Sequence, residues 1–246
     1  MLRFRFLGIP VGVHVTFLFI AVLGLGEFRG LEIAYWTAAA FVAILLHEYG
    51  HALTARAFGA VGISITLFAL GGVTQYRHGR QMSHGRSFLV SAAGSGVGIL
   101  AGGVVIILYR LGVLDSVPRL IDVFLTSFVW AAMVWGILNW IPIVPLDGGS
   151  MVLHLASMVN EEKAPLIGQI VTWITVVIVV PIAVYNDYLI AAFLVVMFAF
   201  TGLRDYRRAA APPPDPAPPS ADPVDRATES PNDESPEHQE PPAFPI

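Results

Sequence analysis

The chain is 246 residues long, 55% hydrophobic and 13% charged, with a mean hydropathy of +0.68 and a net charge of −4. A soluble domain carries about a quarter charged residues, so an ordinary water-soluble domain is excluded as the first reading and a membrane protein takes its place. There is no cysteine, which removes disulfides, thiolate metal sites and thiol nucleophiles, and no nucleic-acid partner is expected.

The net charge hides a split. Up to Ala211 the chain carries 13 basic and 10 acidic residues; beyond it stand one basic residue, Arg226, and eight acidic ones, with 12 of the 18 prolines. Such a segment cannot bury a core. The expected organisation is a membrane domain over residues 1–205 and a disordered, Pro-rich acidic cytoplasmic tail over residues 206–246. Pro213 to Pro219 has PxxP spacing, which suits an SH3-like partner, although a solvated tail is the plainer reading.

Six stretches approach the ~20 apolar residues that a spanning helix needs: 9–26, 33–58, 87–109, 120–142, 165–185 and 188–204. Arg3 and Arg5 give the first the look of a signal peptide, but keeping it as a span makes the charge bias consistent. With both termini inside, Arg3, Arg5, Arg56, Arg77, Arg80, Arg86, Lys163, Arg204, Arg207 and Arg208 lie on inner segments. Only Arg29, Arg110 and Arg119 lie on outer loops, a positive-inside pattern. Between the second and third stretches, Ile63, Ile65 and Leu67 alternate with Ser64, Thr66 and Phe68, Gly71-Gly72 breaks the run, and Val73-Thr74-Gln75-Tyr76 follows. That reads as strand, turn, strand. On the third stretch Gly94, Gly98 and Gly102 recur every four residues and suit close helix packing. Met151 to Val159 reads as a short amphipathic surface helix. Pro181 should kink the fifth span, and Tyr185-Asn186-Asp187-Tyr188 is a polar turn between interface aromatics. The fold class expected is an all-α polytopic membrane protein: six transmembrane helices, a small membrane-associated β-hairpin and a disordered C-terminal tail.

Ionisable groups inside a membrane mark function. Those read within the spans are His14, His47, Glu48 and His51, with Asp147 at a span's end, and no acidic or histidine residue is expected in the outer halves. His47-Glu48-Tyr49-Gly50-His51 closes the apolar run Ala34 to Leu46. On a helix the two histidines share a face, so they can hold one zinc ion per chain with Glu48 as general base; the competing reading is a helix-packing histidine pair. Zinc needs a third protein ligand and an open position. Asp147 suits, because the fourth span ends at the same depth and side as the histidines. Pro142 and Pro145 stop that helix and Gly148-Gly149 permits a tight turn. The alternative for Asp147 is a cap of the segment starting near Ser150. Asn139 can hold a substrate or its oxyanion, or can hydrogen-bond between helices. His14, His154, His78 and His84 read as structural or interface residues.

His47-Glu48-x-x-His51 and Asn139-x-x-Pro142-x-x-Pro145-Leu146-Asp147-Gly148, in this order and about 100 residues apart, resemble the site-2 proteases, the zinc intramembrane metalloproteases. The similarity covers roughly residues 1–205 and is nearest to the compact six-span branch that processes sporulation pro-sigma factors. The resemblance implies His47, His51 and Asp147 as zinc ligands and Glu48 as the base. It also implies a membrane-associated β element at residues 61–77 whose free edge receives the substrate as an added strand; an ordinary cytoplasmic hairpin is the alternative. The substrate path is then expected at Asn139, Gly71, Gly72 and Pro142. Two positions depart from the relatives: Gly94-Ser95-Gly96 replaces a Gly-Pro and nearby Asn, and Trp140 replaces a proline. The implied activity is cleavage of membrane-spanning or membrane-tethered proteins near the cytoplasmic face of the plasma membrane, as in regulated proteolysis of anti-sigma factors, pro-sigma factors or signal-peptide remnants. A metal transporter and a catalytically silent membrane scaffold are the other classes.

Overall fold

Leu2-Arg3-Phe4-Arg5-Phe6 alternates with the period of a strand, and Leu7-Gly8, both with positive φ, turn the chain back on itself. In the computed structural model, which describes residues 1–69, 71–78 and 82–210, these residues build a hairpin of β1 (Leu2–Phe6) and β2 (Ile9–Val13). A short 3-10 turn, Val15–Leu18, and the helix α1 (Phe19–Gly24) follow. Then come α2 (Leu31–Ala57), β3 (Val61–Phe68), β4 (Gly71–Arg77), α3 (His84–Arg110), α4 (Arg119–Asn139), α5 (Asp147–Val159), α6 (Ala164–Tyr185) and α7 (Leu189–Ala210). The Pro-rich tail with its Pro213 to Pro219 segment, Arg226 and Arg80 lie outside the described residues.

The hairpin expected at residues 61–77 forms, with Leu67 opposite Gly72 and Ile65 opposite Thr74. Gly71-Gly72 opens its second strand rather than breaking the run. The hairpin is half of a larger element: a four-stranded sheet in the order β1-β2-β3-β4. This corrects the reading of residues 9–26 as one span. Residues 9–13 are strand, and only Val15–Gly24 remains as a short apolar helix. The cause is that Ile9-Pro10-Val11-Gly12-Val13 is as apolar as the helix behind it, so mean hydropathy runs through the boundary unchanged.

Four helices, α2, α3, α4 and α6, are long and apolar enough to cross a membrane; the apolar part of α7, Leu189–Arg204, is shorter. The sheet constrains their arrangement. β2 and β3 pair in parallel, Val11 with Ile65 and Val13 with Leu67. Parallel neighbours need a crossover, so the chain leaves the sheet along α1 and returns along α2. α1 and the turn after it lie beside the first half of α2: Trp36 Nε1 donates to the Ile20 carbonyl at 2.9 Å, and Phe28 stacks on Trp36. α2 is about 40 Å long at 1.5 Å per residue, and α3 runs back beside it. α4 descends in the same sense as α2, since Arg119 at its start pairs with Glu32 at the start of α2, 2.6 Å apart.

That pair corrects the expectation of outer halves free of acidic groups. Glu32 and Asp122 sit in the first turns of α2 and α4. Each has a partner, Arg119 for the first and the Tyr109 hydroxyl, donating at 2.6 Å, for the second.

One core cluster gathers the apolar faces of β2, β3, α2 and α4 around residues such as Ile65, Leu67, Ala43 and Ala52. A second, Ile143 with Val176, Val195 and Ala199, joins the segment after α4 to α6 and α7. The two candidate chemical segments lie against these cores.

Candidate metal centre

The spacing of four residues on α2 places His47 and His51 on one face, and both imidazoles are buried, as is Glu48. Helix α3 reaches that face because glycine stands on each side of the contact. Gly50 lies against the backbone of Ala93 and Gly94, and any Cβ on Gly94 would collide with the His51 ring. Gly94 is therefore more than helix-packing architecture. Gly94→Ala should push the imidazole out of line and weaken zinc binding roughly 10–100-fold, the scale of a lost orienting contact, measurable by competition with a chromophoric chelator.

Close packing also brings the Val90 carbonyl to 2.7 Å from His51 Nδ1. A carbonyl only accepts, so in the neutral ring Nδ1 carries the hydrogen and Nε2 is left with its lone pair. His47 Nδ1 is buried with no partner among the described residues.

Asp147 arrives from the other side. α4 ends at Asn139, and the chain bends through Trp140 to Leu146 before α5 starts at Asp147 itself. The bend is pinned by α6 and α7. The Val144 amide donates to Thr172 Oγ1 at 3.2 Å, Gln169 Nε2 donates to the Gly202 carbonyl at 3.0 Å, and Gly202 lies against Val144. Gly148 and Gly149 are needed because the bend's own backbone, Trp140–Ile141 and Ile143–Val144, occupies the space a Cβ would fill. Leu146, not Asp147, is the N-cap of α5. Asp147 Oδ2 stands 3.2 Å from His47 Nε2 and 3.3 Å from His51 Nε2, and the two Nε2 atoms are 3.1 Å apart. Ser95, fully buried on α3, donates its hydroxyl to the same carboxylate oxygen at 3.3 Å.

Three atoms able to ligate a cation converge here. Their spacing fits one: tetrahedral zinc with bonds of about 2.0–2.1 Å separates its ligand atoms by about 3.3 Å. His47 Nε2, His51 Nε2 and Asp147 Oδ2 would take three of the four vertices of such a tetrahedron, which would leave one for a non-protein ligand. His47, His51 and Asp147 are the one group of this kind among the described residues.

The Glu48 carboxylate lies against the sheet. Thr74 Oγ1, on β4, donates to Glu48 Oε2 at 2.6 Å and lies 3.1 Å from the Glu48 carbonyl. Gly72 leaves room for the same carboxylate: a Cβ there would come within 2.7 Å of Oε1. One carboxylate oxygen is thus held and the other faces the strand.

The remaining candidates are placed differently. Gly71 has φ +133°, which favours glycine, and faces the Trp135 ring. Asn139, half-buried at the last position of α4, makes no hydrogen bond to Glu48 or the ligand set among the described residues, and Pro142 sits half-buried in the bend. His14 caps the 3-10 turn, accepting from the Thr16 amide. His84 and His154 pack near each other, with ring centroids 6.1 Å apart; burial, together with His84, holds the His154 imidazole below its ordinary range.

The architecture matches a solved one. The site-2 protease from Methanocaldococcus jannaschii superposes with a TM-score of 0.58 at 23% identity, over 84% of this chain and 95% of that one. The chain has the fold of a site-2 protease. In sequence it is 26% identical over 159 residues to a zinc metalloprotease of the same archaeon, and 30% identical over 168 residues to a Synechocystis protein assigned as a zinc metalloprotease. Each alignment covers 63% of this chain, and the chain spans less than half the length of these relatives, 44% and 43%. No protein-family model matches. The resemblance drawn from the two motifs is borne out by these similarities.

Within the site-2 protease fold, four contacts went unread in the sequence: Thr74 on Glu48, Ser95 on Asp147, the Val90 carbonyl on His51, and Gly94 beneath the His51 ring. Two of them had a signal. Thr74 is two residues from Gly72 and so on its face of the strand. Ser95 is a polar residue among glycines in an apolar helix, at the place where the relatives' Gly-Pro and Asn are missing. The Val90 carbonyl had none, since a backbone acceptor has no signature in sequence.

Proposed function

We propose that this chain is a membrane zinc endopeptidase that hydrolyses peptide bonds of membrane-spanning or membrane-tethered proteins. The observation that carries the reading is the convergence of two Nε2 atoms and one Oδ2 at 3.1–3.3 Å, with the buried Glu48 carboxylate beside the first histidine and held by Thr74. His47, His51 and Asp147 would hold one zinc ion, which when bound supplies Lewis acidity and brings the pKa of water to about 7.

The chain's own residues account for the rest. Glu48 Oε1 takes the proton of the attacking water and passes it to the leaving amine nitrogen. Thr74 keeps the other oxygen fixed, so a single carboxylate geometry meets the substrate. β4 ends the sheet and has no partner on its outer edge among the described residues. An extended substrate segment added there would present its amide beside Gly72 and Glu48, whereas a helical one hides it. Asn139, Gly71 and Pro142 would border that path. Thr74→Val should keep the zinc and lower kcat about tenfold or more with KM little changed, the pattern of a positioning residue; an equal loss of zinc would mean a structural role instead.

Pairing of β2 with β3 brings residues 2–13 and 61–77 to the same end of α2, four helices are long and apolar enough to cross, and the orientation proposed has both termini on the cytoplasmic face of the plasma membrane. The product would be released to the cytoplasm, as suits regulated proteolysis of anti-sigma factors, pro-sigma factors or signal-peptide remnants. Against the transporter reading, Glu32 and Asp122 are engaged with Arg119 and Tyr109 at the far ends of α2 and α4 and form no relay to His47. The test is cleavage of a tethered reporter by the purified protein in detergent. Activity is expected to vanish on chelation and return with zinc; no cleavage, or cleavage indifferent to chelator, would contradict the proposal.

A further inference from the structure

A cavity of about 630 Å³ lies between α1, α2 and α4, on the side of Glu48 away from the sheet. Trp36, Ala40 and Ile44 line it from α2. Spaced four apart, they form one stripe whose next member is Glu48, so Ile44 stands about 6 Å of helix rise from the Glu48 backbone. Ser127, Ala131 and Trp135 line it from α4, again four apart. Trp135 joins the cavity to the site: its ring lies 2.9 Å from where a Gly71 Cβ would stand, and the next residue, Gly72, is the one packed on Glu48.

The walls are largely apolar, with Glu27, Thr126 and Ser127 as the polar residues, and Thr126 Oγ1 donates to the Asp122 carbonyl at 2.8 Å. Ser127 Oγ is buried, the residue only 3% exposed, with no hydrogen-bond partner among the described residues. Buried hydroxyls are as a rule hydrogen-bonded, so whatever occupies the cavity should bring a polar group to this point.

We propose that this cavity is a specificity pocket, taking large apolar side chains from the transmembrane part of a protein substrate just beyond its scissile bond. The inference rests on the endopeptidase reading above. The volume lies in the range of pockets that bury a small ligand, enough for a few side chains and too small for a helix. A transmembrane substrate must unwind to lie along β4, and each unwound turn frees backbone carbonyls that lipid cannot satisfy. Ser127 offers a donor inside the cavity for such a carbonyl. A lipid acyl chain would fill the apolar walls but leave that hydroxyl unmet.

Two measurements on the full chain in membranes test this. In the first, the Glu48→Gln protein carries a photo-reactive aromatic residue in place of Trp130, which also lines the cavity, and is presented with two tethered reporters. One has leucine or phenylalanine at the positions on that side of the scissile bond, the other alanine. Cross-linking to the first is expected to exceed that to the second at least tenfold. In the second, Ala131→Leu, which fills the cavity, is expected to lower the ratio of cleavage rates, bulky reporter over alanine reporter, at least tenfold. Cross-links to lipid only, equal cross-linking of both reporters, or an unchanged rate ratio would overturn the pocket. Selective cross-linking by a chain whose wild type cuts neither reporter would leave the pocket standing and defeat the endopeptidase reading. Chelator-sensitive cleavage of both reporters at an unchanged ratio would do the reverse.

Discussion

Glu48→Gln should retain one zinc per chain and lose at least a hundredfold in cleavage of a tethered reporter. The amide keeps the shape of the side chain, and its oxygen can still accept from Thr74 Oγ1. What disappears is the capacity to take a proton, and general acid–base catalysis by a positioned side chain is worth about 10²–10⁴-fold. Glu48 is outside the ligand set, so metal content should not follow activity. Zinc measured on the same preparation separates the cases: undiminished cleavage removes Glu48 from the mechanism, whereas joint loss of zinc and cleavage would place it among the ligands.

Asp147→Ala should release the ion. Removing Oδ2 leaves two imidazoles on α2, and the donor set contributed from a separate part of the chain is gone. Zinc content should fall below about a tenth per chain, a larger loss than the 10–100-fold that an orienting partner is worth, and cleavage should fall with it. His47→Ala and His51→Ala should behave alike. The competing role for Asp147, a cap of α5, makes the opposite forecast: full zinc, and a frayed helix visible in hydrogen exchange over residues 148–152. Asp147 is the first residue of α5, and Leu146 holds the N-cap position.

What could be read from the sequence, and what could not, follows from the range of the physics. Helical spacing is local, so His47 and His51 could be placed on one face without a structure. Alternation is local too, so β3 and β4 were legible from Ile63, Ile65 and Leu67. Asp147 required a longer inference, from the direction of two spans and the prolines that stop one of them, and the structure brings it to the histidines. Residues 2–13 failed for the opposite reason. Their alternation, Leu2-Arg3-Phe4-Arg5-Phe6, is as regular as that of β3, but the apolar residues behind it drew the reading toward one long span. The pairing of Val11 with Ile65 that makes them strands is a contact between distant segments. Gly94 shows the same limit. Its four-residue period announced close packing, and only the fold reveals that the neighbour is the His51 imidazole.

A single ion shared by α2 and the start of α5 is the central claim. X-ray absorption at the zinc edge of gently extracted protein tests it most directly. The expected spectrum has two imidazole nitrogens and oxygen neighbours at about 2.0–2.1 Å, one zinc per chain, with the imidazole scattering lost in His47→Ala and His51→Ala. Metal-free protein, or a zinc whose imidazole shell survives both substitutions, would contradict it.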